Sequence, residues 1–108
     1  MTTFDDRENA FERKFALDEE LRFRAVARRN KLLGLWAAEK MGLRGAEAEA
    51  YAREVVAADF QKSGEEDVFE KVRDDFAGKG VHQSEHQIRR TMDELMAKAI
   101  EQIRTEVR

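Results

Sequence analysis

The chain has 108 residues, no proline and no cysteine, and sets 20 lysines and arginines against 23 aspartates and glutamates for a formal charge of −3. That length suits one small domain plus a tail. The missing cysteine excludes disulfides, thiol nucleophiles and thiolate metal sites, and the near balance of charge leaves no net basic field for nucleic acid. Ala, Glu and Arg dominate, with Lys and Leu next among the good helix formers, which predicts an all-α fold. No run of about 18 apolar residues is present to insert into a bilayer, and residues 1–17 are too charged for a signal peptide, so the chain is expected to stay soluble where it is made.

The first segment, residues 1–17, carries Phe4, Phe11 and Phe15 within a narrow arc of a helical wheel, amid charge at seven of the ten positions 5–14. Continuing that arc reaches Asp18, Glu19 and Arg22, so the stripe does not extend the core face of the next helix. Local helix signals exist. Thr3 and Asp6 resemble a capping pair, Asp5, Asp6 and Glu8 sit at the positive end of the prospective dipole, and Arg13 and Lys14 sit at its negative end. Against them, Glu8 and Glu12 are like charges four apart, and so short an isolated helix is mostly unfolded in water. Burying three phenylalanines contributes on the order of 5–9 kcal/mol, whereas fixing some fifteen backbones costs roughly 15–30 kcal/mol. Periodicity leaves two readings open: a helix induced by an external groove, or an aromatic satellite folded back on a core.

From Asp18 to about Met41 the sequence predicts a long first helix with Leu21, Ala25, Leu32, Leu35 and Trp36 on one broad face and Val26, Leu33 and Ala37 elsewhere on the wheel. Gly42 supplies a left-handed stop and Gly45 ends the short connection. A second helix is expected over Ala46 to Gln61, with Ala48, Ala52, Val55, Val56 and Phe60 apolar and Tyr51 beside them. Ser63 and Glu66 form a capping box ahead of a third helix to about Phe76, facing inward through Val68, Phe69, Val72 and Phe76. Gly78 and Gly80 break that helix. Ser84 and Gln87 repeat the capping box before a fourth, whose stripe is Ile88, Met92, Leu95, Met96, Ala99, Ile103 and Val107. Short connections favour antiparallel neighbours, so residues 18–108 are expected to form a four-helix bundle behind the flexible, inducibly helical segment 1–17.

Other constellations carry less. Arg22, Arg24, Arg28, Arg29 and Lys31 form a basic run, read as a solvated face, with secondary contact to an acidic partner through Arg22, Arg28 and Arg29 as its functional reading. His82 and His86 are four apart, but His82 precedes the Ser84 cap and no third ligand is suggested, so no metal site is expected. Gly78-Lys79-Gly80 lacks the spacing of a phosphate loop and reads as a helix-ending turn. Acidic pairs such as Glu65-Glu66 and Asp74-Asp75 read as solvated helix surface, and no motif indicates an enzyme. A bundle that binds a nucleotide or other small ligand between its helices is the alternative function.

Three strings, TTFDDRENAFERKFA at 2–16, DEELRFRAVARRNKLLGLWAAEKMG at 18–42 and SEHQIRRTMDELM at 84–96, resemble the zeta-subunit family, small inhibitor proteins of the F-type ATP synthase of alphaproteobacteria. The resemblance runs along essentially the whole chain and is weakest at residues 61–80. It implies a four-helix bundle with a mobile N-terminal inhibitory region. That region inserts between the alpha and beta subunits of the synthase head at a catalytic interface, nears the gamma shaft, becomes helical there and blocks ATP hydrolysis. The mode of action is similar to that of the mitochondrial ATPase inhibitor protein, though the fold is not. Carried over, the inhibitory motif falls on Phe4, Asp5, Asp6, Arg7, Glu8, Phe11, Arg13, Lys14 and Phe15. The implied protein needs no cofactor, is a monomer when free, and works in the cytoplasm at the synthase head.

Overall fold

The computed structural model describes residues 19–61 and 65–106, apart from the side chains of Phe60 and Gln61. It contains helices α1 (Glu19–Lys40), α2 (Ala46–Gln61), α3 (Glu65–Lys79) and α4 (Glu85–Glu106), with no strand among the described residues. The all-α, four-helix expectation holds. Ser63, Val107 and the residues expected to form an inhibitory motif lie outside the described residues.

Two of these helices stop by the same device. After α1, the Leu43 N–H donates to Ala38 O at 2.8 Å and the Gly42 N–H to Glu39 O at 3.1 Å, with Gly42 at a φ of 78°. After α3, the Val81 N–H donates to Phe76 O at 2.9 Å and the Gly80 N–H to Ala77 O at 3.3 Å, with Gly80 at a φ of 69°. Both are Schellman endings, and the positive φ is why each turns on a glycine. Gly78, expected to help break α3, is still helical. The start of α4 is the capping box read from the sequence: Gln87 N–H donates to Ser84 Oγ at 3.1 Å, and Ser84 N–H to Gln87 Oε1 at 3.0 Å. At α3 the Glu66 carboxylate is taken by Arg89, whose Nη2 lies 2.6 Å away.

Neighbours run antiparallel. Tyr51 pairs with Asp75 and Glu54 with Lys71 across α2 and α3, Glu66 with Arg89 and Arg73 with Glu85 across α3 and α4, and Arg28 with Glu106 across α1 and α4. The starts of α1 and α3 therefore share one pole with the end of α4. The two Schellman turns close the other.

The core is Leu33, Ala37, Ala38, Tyr51, Val55, Val68, Phe69, Val72, Phe76, Ile88 and Met92. Trp36 meets Phe76 edge to face at 5.6 Å between ring centres, joining α1 to α3 across the bundle. The inward face predicted for α3 is buried throughout, and of the α4 stripe Ile88, Met92, Ala99 and Ile103 are buried while Leu95 and Met96 are half-buried. In α2, Tyr51, Ala52 and Val55 are buried, with Ala48 and Val56 half-buried.

For α1 the expected face needs correction. Of Leu21, Ala25, Leu32, Leu35 and Trp36 only Ala25 is buried; the inward set is Ala25, Arg29, Asn30, Leu33, Gly34, Ala37 and Ala38. This helix packs against each of the other three, so burial spreads around it and no single stripe marks it. In its second half, α1 touches α2 through Gly34, where an added Cβ would stand 2.6 Å from Ala52 Cα. The obstacle is backbone, which cannot swing aside. Alanine normally gains about 1 kcal/mol over glycine inside a helix. Here overpacking against backbone, at the upper end of about 1–3 kcal/mol, outweighs that gain, and Gly34→Ala is expected to destabilise the bundle by a net ~1–2 kcal/mol in urea unfolding.

Candidate functional site

The nine residues expected from the resemblance to form an inhibitory motif, between Phe4 and Phe15, lie outside the described residues, so the described part of the candidate site begins where α1 does. Arg22 and Lys31 are exposed on this helix, and Arg24 is exposed and paired with Glu20 at 2.8 Å, one turn back. Arg28 is half-buried and forks onto Glu106 of α4: Nη1 donates to Oε2 at 2.7 Å and Nη2 to Oε1 at 2.9 Å, while Nη1 also reaches Gln102 Oε1 at 2.7 Å. Hydrogen bonding to Glu106 raises the Arg28 pKa, and the same bonds hold the Glu106 carboxyl below the usual carboxylate range.

Beside this fork lies an open groove of about 510 Å³, bordered by Phe23 and Ala27 of α1, Val56 of α2 and Ile103 of α4, with charge at its edges. Phe23 is 59% exposed, unlike any other large apolar side chain among the described residues.

Arg29 departs from the expected solvated run. It is 5% exposed, so the reading of Arg29 as a partner contact is withdrawn, while Arg22 and Arg28 keep surface. Its position faces the bundle interior, and its charge is handled there. Nε donates to Asn30 Oδ1 at 2.7 Å, and Nη1 sits 3.8 Å from Glu65 Oε1, an ion-pair distance too long for a hydrogen bond. Burial pulls the Arg29 pKa down, with Glu65, Asp59 and Asp93 pulling it back. Asn30 is 1% exposed, and its Nδ2 has no hydrogen-bond partner among the described residues. The sequence offered no signal for this pair beyond two polar residues in a helix that packs on three sides.

At the opposite pole a second cleft, of about 400 Å³, is bordered by Met41, Leu43, Tyr51 and the α3 residues Asp74, Asp75 and Lys79. Asp75, read from the sequence as half of a solvated pair, is half-buried and accepts from Tyr51 Oη at 2.7 Å and Lys71 Nζ at 3.0 Å. Lys71 also reaches Glu54 at 3.3 Å. Burial and the Asp75 bond both push the Tyr51 hydroxyl's pKa far up, which keeps it a neutral donor. His82 and His86 are both exposed, His82 in the connection before α4, and no group of three metal-binding side chains occurs among the described residues. No helix among the described residues is long and apolar enough to cross a membrane.

A family model described as ATPase inhibitor subunit zeta matches residues 1–102. Four chains of solved structures also match. One of them, a structure solved by NMR in solution, is 50% identical, with a TM-score of 0.71 over 80% of this chain and 98% of that one. No curated protein matches.

Arg29→Ala leaves Asn30 Oδ1 unpaired beside an already unpaired Nδ2, and is expected to cost at least about 1–3 kcal/mol in urea unfolding. Replacing both polar groups, as in Arg29→Met with Asn30→Leu, should instead be neutral or stabilising. For Glu106 the folded pKa is the lower one, so its pairing with Arg28 stabilises above the unfolded value and the gain is lost as pH falls through the folded value. Arg28→Gln should therefore lower the unfolding midpoint at pH 7, with that difference fading on the acid side of the ordinary glutamate range.

Proposed function

Because the chain belongs to the ATPase inhibitor subunit zeta family, we propose that residues 1–17 are its inhibitory element. They insert at a catalytic interface between the alpha and beta subunits of the F-type ATP synthase head, near the gamma shaft, and block ATP hydrolysis. The observation that carries this reading is the reach of the family match, which starts at residue 1 and so takes in every residue of the motif.

The physical argument divides the labour. Phe4, Phe11 and Phe15 share one arc and anchor in apolar pockets. Asp5, Asp6, Arg7, Glu8, Arg13 and Lys14 set depth and register through charge pairs. The three rings cannot order the segment by themselves, so helix formation is coupled to binding, and the partner must also accept the charged faces. A helix wedged between subunits that must open and close holds the head in one state of its cycle, without contact to substrate and without catalysis by the inhibitor. The bundle then acts as a handle at the cytoplasmic face, as a monomer. Arg22, exposed on the second turn of α1, makes secondary contact with the head, and Arg28 joins it by exchanging its Glu106 partner.

Hydrolysis by the isolated synthase head, titrated with the full chain and with Phe11→Ala, tests this. One buried phenylalanine contributes about 1.5–3 kcal/mol, so the variant should need roughly 10–100-fold more protein for equal inhibition, with the bundle still cooperatively folded. Equal potency would remove the anchor role, and absence of inhibition by the unaltered chain would remove the function.

A further inference from the structure

The groove at the start of α1 has a floor and an edge of distinct character. Ala27 and Val56 are half-buried, Ile103 is buried, and with Phe23 they make an apolar strip. Arg24, Arg28 and Lys31 line the α1 side, while Glu106 on α4 supplies the carboxylate of the opposite side. Lys31 takes part in no ion pair among the described residues.

Residues 1–18 lead directly into Glu19, one turn before Phe23, the first α1 residue of the groove. From Phe23 to Lys31 the groove runs about 12 Å along α1 at 1.5 Å per residue. A segment that turns back over Ala16, Leu17 and Asp18 has a connection of the length helical hairpins use. On a helical wheel, Asp5, Glu8 and Glu12 flank the phenylalanine arc on one side, and Arg7 and Lys14 flank it on the other. That order of aromatic centre, acidic flank and basic flank complements the groove's apolar strip, its cationic α1 edge and its single carboxylate. Chain continuity supplies a high local concentration, which compensates for a weak site.

We propose that this groove is a docking site for the chain's own residues 4–15, which seat their three phenylalanines on Phe23, Ala27, Val56 and Ile103 when the synthase is absent. The docked state is a store. Resting on the inhibitory reading of residues 1–17, it makes the groove a competitor of the synthase head for one face of one segment. A groove occupied nine-tenths of the time reduces apparent inhibitory affinity about tenfold. Inhibition then depends on release of the segment as well as on its capture.

The absence of cysteine allows a single nitroxide label at Ala10→Cys, on the side of the wheel away from the phenylalanines, in the full chain. Amides of Phe23, Ala27, Val56 and Ile103 should lose at least half their intensity, while Gly42 and Gly80 at the far pole are spared. Arg24→Glu with Lys31→Glu, both at exposed positions, should restore those signals and lower the concentration needed for inhibition several-fold. Undiminished groove signals, or the same broadening in the charge-reversed variant, would overturn the docking. So would broadening passed from a labelled copy to an isotopically labelled second copy, which would make the occupant another molecule. Groove broadening that responds to charge reversal supports the docking even if the chain fails to inhibit hydrolysis, because that failure counts against the inhibitory reading alone.

Discussion

The close approach of α1 and α2 at Gly34 is the constraint from which the remaining contacts follow. With no side chain at that position, the helices come together until Gly34 faces the Ala52 backbone, and Val55 and Leu33 fall into the centre. Small residues continue the seam in Ala37, Ala38 and Ala52, all buried. Because α1 lies so near α2, it can also reach α4 through Arg28 and α3 through Trp36 and Arg29. One helix thus carries contacts to three. The larger apolar volume comes from α3 and α4, whose Phe69, Phe76, Ile88 and Met92 fill the space that the small residues leave.

Legibility in the sequence tracks how many sides of a helix are covered. In α4 and α3 a single face is buried, and the three- and four-residue spacing of Ile88, Met92, Ala99 and Ile103, or of Val68, Phe69, Val72 and Phe76, identified it directly. The stops at Gly42 and Gly80 and the start of α4 were equally clear, since a glycine stop and a reciprocal Ser84 and Gln87 cap are local chemistry. Helix α1 was legible in extent but not in orientation. Its covering on three sides buries Arg29 and Asn30 and leaves Leu32 and Leu35 half-exposed, an arrangement that only tertiary packing decides. The Tyr51, Asp75, Lys71 and Glu54 network was missed for the same reason, because its partners meet across a helix pair and not along one helix. For the site, the motif was legible as a resemblance. The groove was not, since Val56 and Ile103 come to Phe23 from two other helices.

Charge in this bundle does two kinds of work. Exposed pairs such as Arg24 with Glu20 and Arg90 with Glu94 bridge one turn and contribute little in water. The cross-helix forks are different: Arg28 on Glu106 and Arg89 on Glu66 tie separate helices, and Arg89 also stacks 3.9 Å from the centre of the Phe69 ring. They fix register between elements that an apolar core would allow to slide. Register matters here because the groove exists only where α1, α2 and α4 present Ala27, Val56 and Ile103 together.

The polar arrangement of the helix ends also governs how this protein can be handled and joined to others. The start of α1 and the end of α4 sit side by side, tied by the Arg28 fork, whereas the Gly42 and Gly80 turns stand at the far pole. A bulky fusion attached after α4 would crowd the very surface from which the first seventeen residues depart. Grafting it into the Gly42 to Gly45 connection would put the length of the bundle between the cargo and that surface. For immobilised measurements, the turn pole is the attachment point that leaves the start of α1 clear.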